Sequence, residues 1–269
     1  MKKLGVNFEN VLSVMEEFNI DAYNALIKLK NVGITSLDVK YERLIGENSY
    51  MKEILMSGLS IESLFSVCPF HEYNNVQKAL KMVDFAFENK IKEIMFITEI
   101  KPLPYTEEEI SNLKKNLRRV VKYASVFGIL IGIENVGDKN YPLKDINGTL
   151  DILKSVKGLK LIFDGGNYLL NEVKPIEVVD SLASYVQRYH IKDRKIGDLG
   201  SGFNELTTMG NPSYVAVTGE GDSDCLEVYK TIKKYYEDVP IVIEFPAPEK
   251  NLFNKIEKSA MYVYTEMML

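Results

Sequence analysis

Histidine and cysteine are scarce in this chain of 269 residues, which has two of each and no tryptophan. Cys68 and Cys225 lie far apart, and neither belongs to a Cys-x-x-Cys pair. The sequence therefore lacks a zinc–cysteine framework and fits a reducing compartment. Because His71 and His190 are the two histidines, a metal site here would contain mainly oxygen ligands.

An excess of positive charge is also absent, since the formal net charge is −5 and the sequence pI is about 5.4. Such a chain has no general electrostatic attraction to nucleic acid or to an anionic membrane, and neither is expected as a partner. Residues 1–7 begin with two lysines, but no apolar segment of a signal peptide follows them. We therefore expect a cytoplasmic protein without a membrane span.

No linker rich in proline, glycine or serine divides the sequence, and no low-complexity segment is present. Short apolar runs instead alternate with helical patterns along the chain. The predicted strands lie at 4–8, 34–39, 64–68, 91–98, 129–134, 159–164, 188–194 and 241–244. The predicted helices lie at 20–29, 50–57, 75–88, 106–127, 150–156, 176–186, 226–236 and 252–267.

Repeated strand–helix units of about 34 residues are typical of a (β/α)8 barrel, whose strands are apolar because both of their faces are covered. A doubly wound sheet usually has a glycine-rich phosphate turn after its first strand, and no G-x-G-x-x-G follows Gly5. The sequence thus predicts a single TIM-barrel domain over residues 1–269. Thr106 and Glu109 predict a capping box at the start of the fourth helix.

The last four predicted strands each end near a side chain that could bind a metal. Side chains alternate between the two faces of a strand, so if Glu134 points into the barrel, its apolar neighbours point outward. The same alternation places Asp164, His190 and Glu244 inside the barrel. Lys192 then lies above His190 at the rim. This carboxyl end of the strands is where barrel enzymes have their active sites.

Three carboxylates and one imidazole suit a divalent ion such as Mn²⁺, Mg²⁺, Co²⁺ or Zn²⁺, with positions left for substrate oxygens. We therefore predict a metal site formed by Glu134, Asp164, His190 and Glu244. The alternative for each carboxylate taken singly is a helix cap or an ion pair with Lys192 or Arg194.

Several motifs resemble the xylose isomerase-like barrel superfamily, which comprises sugar isomerases and epimerases together with the endonuclease IV branch. These motifs are Ile133–Asn135, Phe163–Asn167, His190–Asp193, Gly219–Asp222 and Ile243–Glu244. The stretch Gly33–Asp38 also resembles the second strand of the family, so the resemblance extends over essentially the whole chain. Together the motifs are fairly specific for the superfamily and weak for the substrate.

The resemblance implies that the four predicted ligands bind a metal and that Glu134 and Glu244 also act as catalytic acid and base. In such chemistry the metal chelates a carbonyl oxygen and a neighbouring hydroxyl, and it stabilises the enediolate that remains after a C–H proton is removed. Glutamates on opposite flanks can withdraw a proton on one face and return one on the other. The implied enzyme is an isomerase or epimerase of a sugar, sugar phosphate or related polyol in carbohydrate metabolism.

Four further residues are predicted to bind the substrate: His71, Asn167, Lys192 and Arg194. His71 either donates to substrate hydroxyls or is a solvated loop residue, and Lys192 either contacts a substrate oxygen or phosphate or pairs with a carboxylate of the site. Asn167 stands where many relatives have histidine, which leaves the substrate open. Asp193 is expected to orient a neighbouring group, with binding of a second ion as the alternative.

Other functions stay open at this point. A lyase or dehydratase acting on a cyclic polyol would use the same metal and base but expel a β-hydroxyl group. An endonuclease IV-like DNA-repair enzyme would have a three-zinc site with many histidines, which this chain lacks. A non-catalytic sugar-binding barrel is a further alternative. Superfamily members are often dimers or tetramers, so the resemblance is compatible with a homo-oligomer.

Overall fold

The computed structural model describes residues 3–200, 202–247 and 249–268, and these contain eleven strands. The strands are β1 (Leu4–Asn7), β2 (Ser36–Lys40), β3 (Ser60–Cys68), β4 (Glu93–Thr98), β5 (Leu130–Glu134), β6 (Lys160–Asp164), β7 (Val186–Ile191), β8 (Arg194–Ile196), β9 (Asn204–Leu206), β10 (Pro212–Val215) and β11 (Ile241–Ile243). Eight of them close a barrel in the order β1-β11-β7-β6-β5-β4-β3-β2. The barrel pairs are parallel, which confirms the predicted (β/α)8 TIM barrel.

Helices follow the barrel strands and cover the outside of the barrel. They are α1 (Phe8–Phe18), α2 (Ala22–Asn31), α3 (Met51–Ser57), α4 (Gln77–Glu88), α5 (Glu107–Val126), α6 (Ile146–Ser155), α7 (Gly165–Leu170), α8 (Pro175–Leu182), α9 (Cys225–Lys233) and α10 (Leu252–Tyr262). A short π-helical turn, Val263–Met267, continues α10. No helix in the described part of the chain is both long and apolar enough to cross a membrane.

Two helices begin directly at the end of a strand, and the sequence prediction missed both. The side chain of Asn7 accepts a hydrogen bond from the backbone N–H of Glu9, so α1 starts at Phe8, a residue that the apolar pattern places in the first strand. Asp164 likewise caps α7 through the backbone N–H of Asn167. The predicted capping box at the start of α5 is confirmed.

The barrel strands separate two apolar regions, as their alternation predicts. Inside the barrel lies a small buried cluster of Phe65, Met95 and Ile162. Outward side chains such as Phe163 and Tyr189 belong instead to the larger core between strands and helices. A Cβ atom added to Gly132 would lie 2.8 Å from Ile162 Cδ1, so the interior is filled closely at this height.

The predicted seventh strand, 188–194, is divided in the structure. Strand β7 ends at Ile191, and β8 starts a small antiparallel sheet in the order β8-β10-β9. This sheet accounts for much of the long connection between β7 and α9. Its strands have three or four residues each, too short for a hydrophobic period to reveal them.

Candidate metal centre at the barrel mouth

The four predicted ligands come together at the carboxyl ends of four adjacent barrel strands. Glu134 and Asp164 are the last residues of β5 and β6, His190 is the penultimate residue of β7, and Glu244 directly follows β11. One ligand atom from each of the four lies within 4.8 Å of those from the other three. The first three side chains are buried, and that of Glu244 is 18% exposed.

Carboxylates surround the His190 ring on both sides. Its Nδ1 lies 3.0 Å from Glu134 Oε1 and 2.9 Å from Glu244 Oε2. Its Nε2 lies 3.1 Å from Oδ2 of Asp38, a β2 residue. Burial alone would lower the pKa of His190, but hydrogen bonds to the three carboxylates raise that pKa well above its usual value. Carboxylates therefore face both nitrogens of the ring.

Lys192 places an ammonium group inside the same cluster. Its Nζ lies 2.9 Å from Asp164 Oδ2 and 2.9 Å from Glu244 Oε1. Burial would lower the pKa of Lys192, but these two carboxylates raise it. The structure thus shows one of the two predicted alternatives for Lys192, an ion pair with carboxylates of the site.

The acidic groups of the cluster differ in the direction in which their pKa values are shifted. Burial raises the pKa of both Glu134 and Asp164. Burial would also raise the pKa of Glu244, but the charge of Lys192, together with His190, lowers it below its usual value. The surroundings therefore shift the pKa values of the two glutamates in opposite directions.

The chemistry of the donor set fits a divalent cation. Asp164 uses Oδ1 to cap α7, and its Oδ2 is buried and makes no hydrogen bond with the described residues. This oxygen faces the cluster, where Lys192 is its ion-pair partner. Three carboxylates with one imidazole form the oxygen-rich set that Mg²⁺, Mn²⁺ and Zn²⁺ accept. The residues therefore fit such an ion.

Asp193 holds the loop that follows the small sheet. Its carboxylate accepts hydrogen bonds from the backbone N–H groups of Gly219, Gly221 and Ser223 at 2.8, 3.0 and 3.1 Å. A Cβ atom on Gly221 would lie 2.2 Å from Asp193 Oδ1, so the close approach requires glycine. These contacts agree with the expectation that Asp193 orients neighbouring groups, and they explain the Gly219–Asp222 motif.

Two asparagines connect the ends of β5 and β6 by hydrogen bonds. The side chain of Asn135 donates to the backbone carbonyl of Asp164 at 2.8 Å and accepts from its N–H at 2.9 Å. Asn167 donates to the backbone carbonyl of Asn135 at 2.9 Å, and its Oδ1 lies 3.3 Å from Lys192 Nζ. Asn167 therefore lies beside the cluster, and its role in substrate binding stays a prediction.

His71 is buried, so the alternative of a solvated loop residue is wrong. Its ring packs edge-on against Tyr105, its Nε2 lies 3.7 Å from Glu99 Oε2, and its Nδ1 has no hydrogen bond from the described residues. The ligand atoms of His71, Glu72 and Glu99 are close enough to hold an ion, but both glutamates are exposed. Substrate binding by His71 stays a prediction.

The guanidinium of Arg194 is engaged within the protein. It donates to Gly166 O at 3.2 Å, to Ser213 Oγ at 2.8 Å and to Glu205 Oε2 at 2.9 Å. Arg194 is buried, and these contacts join α7 to the small sheet. They favour a structural role, and the predicted contact with substrate stays untested.

Three charged residues inside the barrel have no role predicted from the sequence: Asp38, Glu93 and Arg188. Asp38 contacts the predicted ligand His190, and Arg188 connects Asp38 to Glu93. Charged residues at inward positions of otherwise apolar strands are a signal that could have identified them.

Comparison with known proteins agrees with the architecture. The family described as xylose isomerase-like TIM barrel matches residues 63–263. Among solved structures, a sugar phosphate isomerase/epimerase from Parabacteroides distasonis is 19% identical, with a TM-score of 0.70 and 97% and 93% of the two chains covered. A xylose isomerase-like TIM barrel protein from Mycobacterium smegmatis, in complex with magnesium, is 14% identical, with a TM-score of 0.69 and coverage of 90% and 86%.

D-allulose 3-epimerase from Methylomonas sp., in complex with D-allulose, is 15% identical to the chain, with a TM-score of 0.72 and 98% and 97% of the two chains covered. At such identities the similarity shows the fold alone. No curated protein matches the chain in sequence at a significant level.

Proposed function

Because the chain belongs to the xylose isomerase-like TIM barrel family, we propose that it is a metal-dependent isomerase or epimerase of a sugar, sugar phosphate or related polyol. The observation that carries the proposal is the convergence of Glu134, Asp164, His190 and Glu244 at the barrel mouth. Neighbours in fold include L-ribulose 3-epimerase, D-allulose 3-epimerase with its sugar, and proteins with bound magnesium or zinc.

These four residues would hold the ion, which we take to be Mn²⁺, Mg²⁺, Co²⁺ or Zn²⁺. When bound, such an ion would polarise a carbonyl oxygen and the neighbouring hydroxyl of the substrate, and it would stabilise negative charge on them. The buried Asp164 Oδ2, which has no hydrogen bond from the described residues, supports this assignment. A buried carboxylate oxygen requires a cation or a hydrogen-bond donor, and in this structure the ammonium group of Lys192 fills that role at 2.9 Å.

Glu134 and Glu244 are proposed as the catalytic base and acid. They belong to strands separated by β6 and β7, and they approach His190 Nδ1 at 3.0 and 2.9 Å. One carboxylate can remove the proton from the substrate carbon beside the carbonyl, leaving its electron pair in the enediolate. The other can return a proton to the opposite face, which is epimerisation, or a proton can be returned to the adjacent carbon, which is isomerisation.

Lys192, Asn167 and His71 are proposed to contact substrate oxygens. Lys192 Nζ lies 2.9 Å from an oxygen of Asp164 and from an oxygen of Glu244, and the side chain of Asn167 lies 3.3 Å from it. We keep Arg194 outside this set because its guanidinium already has three partners. A cytoplasmic location is also proposed, supported by two buried free cysteines.

The test begins with metal analysis of the purified chain, followed by a ketose and ketose-phosphate panel in D2O monitored by NMR. We expect deuterium to replace the proton on the carbon beside the carbonyl of a true substrate. Glu134→Gln and Glu244→Gln should abolish this exchange, while the matched control Glu257→Gln, which alters an exposed glutamate of α10, should retain it. Exchange that persists in both site variants would contradict the proposed proton transfer.

Three additional measurements separate the other functions from this one. Loss of water from an inosose-type substrate, detected by mass spectrometry, would indicate a dehydratase. Tight binding to abasic-site duplex at moderate salt would indicate the endonuclease IV branch. A chain that contains no metal after purification with Mn²⁺ present would favour a non-catalytic sugar-binding barrel.

A further inference from the structure

A line of charged side chains runs through the barrel interior from the candidate metal centre. Asp38 Oδ2 lies 3.1 Å from His190 Nε2, and Asp38 Oδ1 lies 3.2 Å from Arg188 Nη1. Arg188 also donates from Nε and Nη2 to Glu93 Oε2 at 3.0 and 2.6 Å. Asp38, Arg188 and His190 are fully buried, and the side chain of Glu93 is 13% exposed.

The line crosses the barrel rather than following one strand. Arg188 and His190 are two residues apart on β7, so they share its inner face. Asp38 is on β2, which is separated from β7 by β1 and β11. Its contact with His190 therefore passes in front of two strands.

The geometry distinguishes the two nitrogens of His190. Asp38 is ion-paired with Arg188, and a carboxylate accepts hydrogen bonds but cannot donate them. The contact at 3.1 Å therefore favours a hydrogen on Nε2. Nδ1 is left to face Glu134 and Glu244, the other members of the metal-type cluster. An imidazole nitrogen binds a metal only without its proton, and the partner of the other nitrogen selects which one that is.

We propose that Asp38, held in place by Arg188 and Glu93, is a positioning residue that keeps the proton of His190 on Nε2 and so presents Nδ1 as the metal ligand. The inference rests on the proposed function in one respect, since it requires a metal at the cluster. It does not depend on which sugar is the substrate.

Burial of these charges is difficult to explain by stability alone. Buried ion pairs often contribute no more to stability than apolar side chains of similar volume, because removing the charges from water offsets their attraction. Within this barrel, Phe65, Met95 and Ile162 show that apolar packing is also used in the interior. The line of charged side chains ends at the imidazole ring of His190, and it is better explained by the orientation that it imposes on this ring.

Histidine NMR tests the inference on the unmodified chain, which has only two histidines. With ring nitrogens labelled by ¹⁵N and Zn²⁺ added as a diamagnetic probe, we expect His190 to show a protonated Nε2 and a metal-bound Nδ1. A His71→Gln variant assigns the two sets of signals. Zinc on Nε2, or a proton on Nδ1 of the zinc-bound ring, would overturn the inference without any change to Asp38.

Asp38→Asn provides the second test. The new amide can donate to Nε2 and thereby favour the tautomer that has its proton on Nδ1. Affinity for Zn²⁺ and Mn²⁺, measured by calorimetry, should fall by about 10–100-fold, the usual effect of losing the partner of a metal-bound histidine. Ser36→Ala is the matched control, because Ser36 is buried two residues earlier on the same strand and, among the described residues, makes no hydrogen bond or ion pair with the cluster.

The outcomes distinguish this inference from the proposed function. If the wild-type chain and Asp38→Asn bind metal equally well, the positioning role is wrong and the metal-dependent function stands. If the wild-type chain binds no divalent ion, both are wrong. A purely structural role of Asp38 would lower the Tm of the variant while its affinity for Zn²⁺, measured well below that Tm, equals that of wild type, and this result also overturns the inference.

Discussion

Replacing Lys192 with methionine should destabilise the metal-free protein strongly and the metal-bound protein weakly. Lys192 Nζ lies 2.9 Å from one oxygen of Asp164 and 2.9 Å from one of Glu244. At this separation and an effective dielectric constant of about 20, each pair has a Coulomb energy of about 6 kcal/mol. The desolvation of three buried charges offsets much of it. Removing one partner of a buried pair typically costs about 3–5 kcal/mol, because the remaining charge has no counterion.

The assay is urea unfolding of wild type and Lys192→Met, each in EDTA and in excess Mn²⁺. In EDTA, we expect the unfolding free energy of the variant to be lower by about 3–5 kcal/mol. In Mn²⁺ the difference should shrink, because the ion supplies positive charge to the carboxylates and stabilises the folded state by binding it. Lys174→Met is the control: that side chain is 69% exposed beside Glu177, and its change should stay within about 0.5 kcal/mol.

Two results would refute this reasoning. If Lys192→Met in EDTA unfolds within about 0.5 kcal/mol of wild type, the ammonium does not neutralise the cluster. If Mn²⁺ stabilises wild type and variant by the same amount, the metal does not replace the charge of Lys192, and the ion binds elsewhere.

Three further outcomes are expected. His190→Ala should lower the affinity for Mn²⁺ measured by calorimetry by at least about 10-fold, since it removes the single nitrogen ligand, and an unchanged affinity would exclude His190 from the site. Arg194→Met should lower the free energy of unfolding in urea by about 2–3 kcal/mol; a raised KM with unchanged stability would instead assign Arg194 to substrate binding. Asp193→Ala should accelerate amide hydrogen exchange at Gly219 and Ser223, and protection equal to that of wild type would show that another contact holds the loop.

The barrel and the convergence of the four predicted ligands could be inferred from sequence for two reasons. Alternation along each strand assigns every residue to the inside or the outside, and parallel strands bring their carboxyl ends to one rim. The end of β6 illustrates this: Phe163 belongs to the outer core, while Asp164 faces the cluster. Neither the side to which a residue points nor the common rim of the strand ends depends on the diameter of the barrel.

Other features depend on geometry that local patterns do not contain. Helices α1 and α7 begin at a capping side chain that is also the last residue of a strand, so no turn signal precedes them. The contact between Asp38 and His190 requires strands that are not neighbours to face each other across the lumen. That distance follows from the closure and stagger of the whole barrel.

The charged line and the metal centre are best understood as one arrangement. His190 contacts Asp38 through Nε2 and the two glutamates through Nδ1, so one ring connects them. On the opposite side, Lys192 forms ion pairs with Asp164 and Glu244, two of the carboxylates that would bind the ion. Without Arg188 and Lys192, four buried carboxylates would converge around one imidazole, and their mutual repulsion would favour protonation. Lys192 lowers the pKa of Glu244, and Arg188 forms ion pairs with Asp38 and Glu93, so the two cations offset that repulsion from opposite ends of the arrangement.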